Sequence, residues 1–293
     1  EATKDDKWNG NDSEVMTLTL EHHMAARRMG FSNFFAPLYA VDRLKTGLLE
    51  GSSSSVNLFT KIVLPLYKAH IKKNKFEIAN IIKHHSHLLD KQTLQNDGNK
   101  LELLHTTNDK VNELLSLWNE DGHPTLIKIL NKIQETNLFK IPTVLKVILK
   151  RVDFDSDVEI EDDETTEDDE VLIAWEESLK ANFAEIVKYN EYINEESKFG
   201  THQGVKGLEF ERVMVIIDDE ESKGFMFSYD KLFGLKPLTS NDKKNIDEGK
   251  ETGIDRTKRL FYVACSRAKE SLAIVAYTDL PKELKKNVIN NGW

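Results

Sequence analysis

The residues with the clearest chemical potential lie in two short stretches of the last third of the chain. The first stretch, residues 201–210, reads THQGVKGLEF. Its glycines let the backbone come close to a ligand, and Lys206 and Glu209 offer one charge of each sign. A plain polar turn ahead of a buried strand is the alternative interpretation of the same residues. Taken alone, this stretch favours the plain turn.

The second stretch, residues 256–269, reads RTKRLFYVACSRAK. Arg259 and Arg267 lie near its two ends, and a guanidinium group is always charged and can hold an oxyanion through two parallel hydrogen bonds. The apolar positions between them have the spacing of one buried helix face: Leu260, Phe261, Val263 and Ala264. The spacing predicts one helix that carries both arginines. A buried amphipathic helix with solvated basic ends is the alternative interpretation.

Several apolar segments predict the elements that must position these two stretches. Residues 15–20 read as a strand, and residues 21–29 as a helix that Gly30 ends. Residues 213–217 and 271–276 are continuous apolar runs, typical of strands that are buried on both faces of a parallel sheet. We therefore expect an α/β fold around a parallel sheet.

The segment between these α/β parts has a different pattern. From residue 56 to residue 150, apolar side chains recur at spacings of three and four, which predicts helices throughout. Residues 153–170 carry twelve acidic side chains and no basic one, which predicts a solvated loop. Residues 171–193 read as one long amphipathic helix that returns the chain to the α/β part. The order is α/β, helical insertion, α/β.

Composition and charge restrict the class of protein. The 293-residue chain is 39% hydrophobic and 31% charged, as globular proteins are, and it has no apolar run of membrane-spanning length. The net charge of −10 is dominated by the acidic run 153–170, so the rest of the chain is mildly basic. A nucleic-acid partner is therefore compatible with the composition.

Cysteine content and the first residues bear on the compartment and on metal chemistry. Cys265 is the only cysteine, which excludes an internal disulfide and a cysteine-built metal site. Residues 1–12 show no secretion signal, and we expect a cytoplasmic protein without a membrane partner. Five histidines stand in two groups without an accompanying acid cluster, so we expect no metal site: His22, His23, His84, His85 and His87.

Taken in this order, the two stretches resemble motifs V and VI of the UvrD/Rep/PcrA branch of superfamily 1A DNA helicases. Those motifs run T-x-H-x-x-K-G-L-E-F and R-R-L-x-Y-V-A-x-T-R-A. The resemblance covers roughly residues 198–277 and extends weakly to residues 15–31. It implies the second RecA-like motor domain, a P-loop NTPase-like fold called 2A, interrupted by a mostly helical, 2B-like insertion. The expected parts are 1–42 for the first piece of 2A, 43–195 for the insertion with its acidic loop, and 196–293 for the second piece of 2A.

The resemblance also implies roles for individual residues. Arg267 matches the arginine finger that reaches the γ-phosphate of ATP, and it is the expected catalytic residue. Glu209 matches the acid that contacts the ribose. The other residues implied in the ATP site are Gly207, Arg259 and Lys206, and those implied in DNA contacts are Thr201, Gln203 and His202.

Three positions depart from the family pattern. The family histidine of the first motif falls on Gln203, while His202 occupies the variable place. The threonine before the arginine finger is Ser266. The acid that precedes the R-R-L segment is absent, with Asp255 the nearest, so a salt bridge made by this acid in relatives cannot be assumed here.

The resemblance implies the C-terminal portion of an ATP-dependent helicase or translocase acting on single-stranded DNA in the 3′ to 5′ direction. ATP and Mg²⁺ would be bound mainly by an N-terminal motor domain of the same protein. The chain contains no G-x-x-x-x-G-K-[ST] phosphate loop, so we expect this fragment alone to be inactive. Without that loop, we expect no Mg²⁺ role for the acidic residues 218–220, although they imitate the end of a Walker B strand.

Two further expectations concern partners and alternatives. The stretch FSYDKLFG, residues 227–234, and the Ser-Arg-Ala variant resemble the helicase-like partners of bacterial anti-phage systems such as Gabija. This implies anti-phage defence or DNA repair, single-stranded or junction DNA, and a nuclease partner. The alternative is a motor-dead, helicase-like module that binds DNA or protein. A full-length sequence that also lacks a phosphate loop would favour that alternative.

Overall fold

A computed structural model describes residues 6–8, 14–89, 100–154, 167–223 and 226–292. The chain forms two compact units. The α/β unit contains Glu1–Arg28 and Asn194–Trp293, and the helical unit contains Met29–Ile193. The prediction of an α/β fold with a helical insertion is confirmed.

The α/β unit is built on a four-stranded sheet. Its strands are β1 (Val15–Thr19), β2 (Phe199–Thr201), β3 (Phe210–Ile217) and β4 (Ala268–Ala276). All neighbours are parallel, in the order β2-β1-β3-β4. Apolar side chains of the central strands β1 and β3 form the core, and Leu18, Val213 and Val215 have no exposed surface. The sequence predicted three of these strands, and the short strand β2 was not among them.

The helices, numbered along the chain, include sixteen α-helical segments within the described ranges. They are α1 (His22–Met29), α2 (Ser32–Ala40), α3 (Asp42–Leu49), α4 (Ser54–Asn57), α5 (Leu64–Ile71), α6 (Lys75–His85), α7 (Lys100–Asp121), α8 (Leu126–Thr136), α9 (Thr143–Phe154), α10 (Glu167–Leu179), α11 (Phe183–Ile193), α12 (Asp219–Ser222), α13 (Tyr229–Leu232), α14 (Ser240–Asp247), α15 (Gly253–Cys265) and α16 (Pro281–Asn290). A π-helical turn, Leu58–Val63, joins α4 to α5. No described helix has the length and apolar character needed to cross a bilayer.

The end of α1 follows the predicted stop signal. Gly30 has a φ of +76°, a left-handed conformation that residues with a side chain rarely adopt. The helical prediction for residues 56–150 is confirmed where the chain is described, and connected helices α4 to α9 occupy that part.

The region predicted as one helix over residues 171–193 is two helices. Helix α10 ends at Leu179 and α11 begins at Phe183. The backbone between them bonds to the start of α8: Leu126 N–H donates to the Ala181 carbonyl at 3.0 Å, and Phe183 N–H to the Pro124 carbonyl at 2.9 Å. The expected single helix was wrong because these long-range backbone bonds replace the helical ones.

The acidic run also departs from the expected loop where it is described. Residues 155–166 lie outside the described ranges. The last acids of the run form the first turn of α10, where Asp168 pairs with Arg43 at 2.8 Å and Asp169 with Arg151 at 3.0 Å. Carboxylates are favourable in the first turn of a helix, because the unpaired N–H groups there carry partial positive charge.

The boundary of the helical unit reflects the packing of α2. Phe34, on α2, lies edge-on to Trp175 with ring centroids 6.4 Å apart and to Tyr189 at 5.0 Å. Glu185 accepts hydrogen bonds from Asn33 at 2.8 Å and from the Phe34 backbone at 3.0 Å. These contacts place α2 in the helical unit, whereas the resemblance placed a domain boundary after residue 42. The assignment of the units to 2A and 2B stays a prediction.

Candidate functional site

The turn formed by residues 202–209 runs from the carboxyl ends of the strands to their amino ends. We call these two sides of the sheet the carboxyl edge and the amino edge. It leaves the carboxyl end of β2, where Thr201 pairs with Thr19, and it enters the amino end of β3, where Arg212 pairs with Val15. Strand β1 lies between them. The predicted site residues are therefore divided between the carboxyl edge and the amino edge of the sheet.

At the carboxyl edge, Thr201 and Gly204 close the start of the turn. The Thr201 hydroxyl accepts a hydrogen bond from the Gly204 backbone at 3.0 Å, and only 6% of Thr201 is exposed. A Cβ atom at Gly204 would lie 2.9 Å from the Thr201 hydroxyl, so a side chain there would displace this bond. Gln203 is exposed between them and is the polar side chain that this part of the turn presents to solvent.

His202, which was predicted to contact DNA, has no exposed surface. Its Nε2 lies 3.2 Å from the Leu18 carbonyl oxygen, and its Nδ1 lies 2.9 Å from the Tyr229 hydroxyl. A carbonyl can only accept, so Nε2 carries the hydrogen and Nδ1 accepts from the phenol. The prediction of a direct DNA contact is wrong for His202, because the ring is enclosed beneath the turn.

Burial of His202 predicts a loss of stability in mild acid. Desolvation lowers the pKa of His202 from 6.5 to about 4. The unfolded chain therefore binds this proton more readily, and the contribution is complete above pH 6.5 and is lost as the pH falls toward 4. We expect the free energy of unfolding to fall by at most about 3 kcal/mol across this window. Urea unfolding at several pH values measures the slope.

A variant separates His202 from the other titrating groups. His22, whose pKa burial also lowers to about 4, titrates in the same window. His202→Gln should therefore reduce the slope of the free energy of unfolding against pH by the equivalent of about one proton. The contribution of His22 to that slope should remain. An unchanged slope in His202→Gln would contradict the assignment.

At the amino edge, Arg267 is held by neutral acceptors. Its Nε donates to the Val263 carbonyl at 3.0 Å, Nη1 to the Leu208 carbonyl at 2.9 Å and Nη2 to the Ser266 hydroxyl at 3.0 Å. The Phe210 backbone donates to the Arg267 carbonyl at 2.8 Å. Because these acceptors are uncharged, the guanidinium is oriented without having its positive charge neutralised.

Arg267 does not lie on the helix that was predicted to carry both arginines. Helix α15 ends at Cys265, and Arg267 occupies the turn immediately before β4. Its bond to Leu208 ties this turn to the end of the 202–209 turn. The second stretch thus presents Arg267 from a helix-to-strand junction.

Glu209 lies beside Arg267 because β3 and β4 begin next to each other, with Phe210 paired to Ala268. The Glu209 carboxylate is 62% exposed, and its Oε2 lies 3.6 Å from the Lys269 ammonium. Lys269 was not singled out from the sequence. The signal that identifies it is the parallel register, which places the residue after Ala268 near the residue before Phe210. An acid and two cations therefore share the amino edge.

Arg259 has an acidic partner that the motif comparison did not identify. The Arg259 guanidinium bonds to Glu251, which also lies 3.6 Å from Arg256. Asp255, the nearest acid by the motif pattern, instead forms a capping box with Thr252 at the start of α15. Arg259 therefore forms a salt bridge with an acid that precedes the helix, although the family acid is absent.

The remaining predicted ATP-site residues lie in the exposed part of the 202–209 turn. Lys206 and Gly207 are both exposed. Gly207 has a φ of +87°, so a side chain would be strained there although open space surrounds the position. This glycine allows the chain to reverse toward the amino edge.

Asp218 and Asp219, which follow β3, are engaged in local structure. The Asp219 carboxylate accepts hydrogen bonds from the Ser228 hydroxyl at 2.8 Å, the Tyr229 backbone at 3.0 Å and the Asp230 backbone at 2.9 Å. Asp218 accepts one from the backbone at residue 221 at 2.8 Å. In the described ranges, no three His, Cys, Asp or Glu residues are grouped as metal ligands would be.

The segment 227–253 covers the core of the α/β unit. Tyr229 has no exposed surface and Phe233 has 5%. Both rings pack against Phe261 of α15, with centroids 5.8 and 5.6 Å away. The segment therefore connects the residues after β3 with the helix that leads to Arg267.

Comparison with known proteins supports the motif resemblance. A family model of the UvrD-like helicase C-terminal domain matches residues 158–279, a stretch that includes β2, β3, β4 and α15. A search of curated proteins found no match. The family match contains the 202–209 turn and the arginine at the helix-to-strand junction in their expected order. Residues 158–279 are therefore similar to the C-terminal domain of UvrD-like helicases.

Proposed function

We propose that this chain is the C-terminal portion of an ATP-dependent helicase or translocase that moves 3′ to 5′ on single-stranded DNA. The observation that carries the proposal is the arrangement at the amino edge of the sheet. There Arg267 is oriented by three neutral acceptors beside the exposed carboxylate of Glu209. An oriented cation next to a hydrogen-bond acceptor suits a nucleotide, which has anionic phosphates and ribose hydroxyls.

Arg267 acts in this proposal as an arginine finger. Phosphoryl transfer is catalysed mainly by positioning and by positive charge delivered to the transferred group. Arg267 would exchange its carbonyl acceptors for γ-phosphate oxygens, and Glu209 would exchange Lys269 for the ribose. Mg²⁺ would be held mainly by an N-terminal motor domain and would neutralise charge at the phosphates. Since Arg267 belongs to a different domain, hydrolysis requires closure of the cleft between domains, which couples the reaction to movement.

The DNA contact in this proposal belongs to the start of the 202–209 turn. Gln203 is exposed and has an amide that can donate to a phosphate oxygen, and Thr201 holds the turn that presents it. Backbone-directed contacts of this kind give binding that is independent of base sequence.

The proposal is tested by steady-state ATP hydrolysis of the full-length protein, with and without single-stranded DNA. We expect stimulation by DNA, and we expect Gln203→Ala to raise the DNA concentration for half-maximal stimulation by about tenfold, because a phosphate hydrogen bond is lost. The turnover at saturating DNA should be retained. Asn182→Ala, at the break between α10 and α11, is a control outside the turn and should behave as the wild type.

Two results would count against the proposal. DNA binding without any ATP hydrolysis would favour the motor-dead binding module. Hydrolysis that is indifferent to DNA would contradict the assignment of the turn to a DNA contact.

The biological pathway is a finer proposal. The stretch FSYDKLFG contains Tyr229 and Phe233, which are core residues in the α/β unit. The stretch that resembles anti-phage helicases therefore includes residues that pack in the core. Membership of the Gabija-type subgroup, a nuclease partner, and roles in DNA repair or anti-phage defence stay predictions.

A further inference from the structure

His202 is anchored to β1 by both its backbone and its ring. Its backbone N–H donates to the Thr19 carbonyl at 2.9 Å, and its Nε2 lies 3.2 Å from the Leu18 carbonyl. The remaining ring nitrogen, Nδ1, is enclosed in the core and faces the Tyr229 hydroxyl at 2.9 Å. The phenol is therefore the donor that completes the hydrogen bonds of a buried ring between two proposed DNA-contacting residues.

Tyr229 is itself held rigidly. Its backbone N–H donates to the Asp219 carboxylate at 3.0 Å. Its ring packs edge-on against Phe261 and stacks on Phe233, with an interplanar angle of 19° and centroids 6.2 Å apart. A residue fixed at its backbone and by contacts of its ring with two other aromatic rings presents its hydroxyl at a defined point.

We propose that Tyr229 is a positioning residue for DNA binding, which acts through His202. The bond to Nδ1 fixes the His202 ring in the core, and this fixes the backbone on which the neighbouring Gln203 points outward. The inference rests on the proposed function, because it assumes that the turn contacts DNA. It assigns the segment after β3 a part in presenting that contact.

The hydroxyl of Tyr229 has more than a space-filling role. Without it, Nδ1 would be a buried acceptor with no donor, and an unsatisfied buried group costs far more than the hydrogen bond contributes when it is made. The ring would then rotate or move toward water, and either movement shifts the backbone at residues 201–203. Gln203 would no longer be presented in one conformation.

Tyr229→Phe in the full-length protein tests the inference, because it removes the hydroxyl and keeps the ring. We expect the dissociation constant for a single-stranded oligonucleotide, measured by fluorescence anisotropy, to rise by about tenfold. The KM for ATP and the turnover at saturating DNA should stay within about twofold, at a temperature well below the midpoint of unfolding. Tyr277→Phe is the matched control, since that residue is 55% exposed and its hydroxyl is not needed in the core.

The double variant shows whether Tyr229 acts through His202. His202→Leu removes the acceptor, so adding Tyr229→Phe should weaken DNA binding no further than His202→Leu does alone. Effects that multiply would overturn the inference, as would an unchanged dissociation constant in Tyr229→Phe. Equal losses of ATP and DNA binding would show a general structural role and would also overturn it. A wild-type protein that binds no DNA would instead show that the proposed function has failed.

Discussion

Replacing Arg267 with alanine is expected to lower DNA-stimulated ATP hydrolysis by roughly 10³- to 10⁵-fold, while ATP and DNA still bind. The guanidinium of Arg267 has three neutral acceptors around it, so its charge is available for a phosphoryl group in the transition state. Removing it should leave the fold intact, because the residue lies at a partly exposed junction. Turnover by the full-length protein with saturating single-stranded DNA measures the effect, and nucleotide binding is measured separately.

Two further variants make the Arg267 result specific. Arg267→Lys keeps the charge but not the planar fork, so it should recover only a small part of the lost rate. Arg27→Ala removes an exposed arginine of α1 that lies outside both motifs, and it should leave turnover unchanged. Hydrolysis that does not respond to Arg267→Ala would show that this residue has no catalytic role. The two motifs would then be structural features only.

The strands and α1 could be predicted because their signals are local. A buried parallel strand is a continuous apolar run, as in residues 213–217, and Gly30 ends α1 through its own left-handed backbone. The break at residues 180–182 has no such signal. It is caused by backbone bonds to residues 124–126, which are more than fifty positions away. Helical periodicity on both sides of the break made one helix the natural prediction.

The same distinction applies to the candidate site. Motif order identified Arg267 and Glu209, and the sheet register explains why they are neighbours. Glu251 escaped prediction because it precedes the motif and reaches Arg259 only when the start of α15 is folded. His202 was misassigned, since a polar residue between two proposed contact residues reads as a contact. Its buried ring is bonded to Tyr229, which is 27 positions away along the chain.

Replacing Asp219 with alanine is expected to lower the free energy of unfolding of the α/β unit by roughly 3 to 5 kcal/mol, because three hydrogen bonds to one carboxylate are lost. Two of the donors are the backbone N–H groups of Tyr229 and Asp230. Without their acceptor, the start of α13 loses its anchor, and Tyr229 loses its fixed position against His202. Urea unfolding followed by circular dichroism measures the change.

The neighbouring acid provides a control that separates structural anchoring from metal binding. Asp218 accepts a single backbone hydrogen bond as the N-cap of α12, so Asp218→Ala should cost only about 1 kcal/mol. If Asp219 were a Mg²⁺ ligand of Walker B type, Asp219→Ala would abolish ATP hydrolysis and leave the unfolding midpoint almost unchanged. The three hydrogen bonds to residues 228–230 lead us to expect the opposite result for Asp219→Ala. The unfolding midpoint should fall, and DNA affinity should fall with it because Tyr229 loses its fixed position. An Asp219→Ala variant as stable as Asp218→Ala would show that these bonds do not anchor the segment.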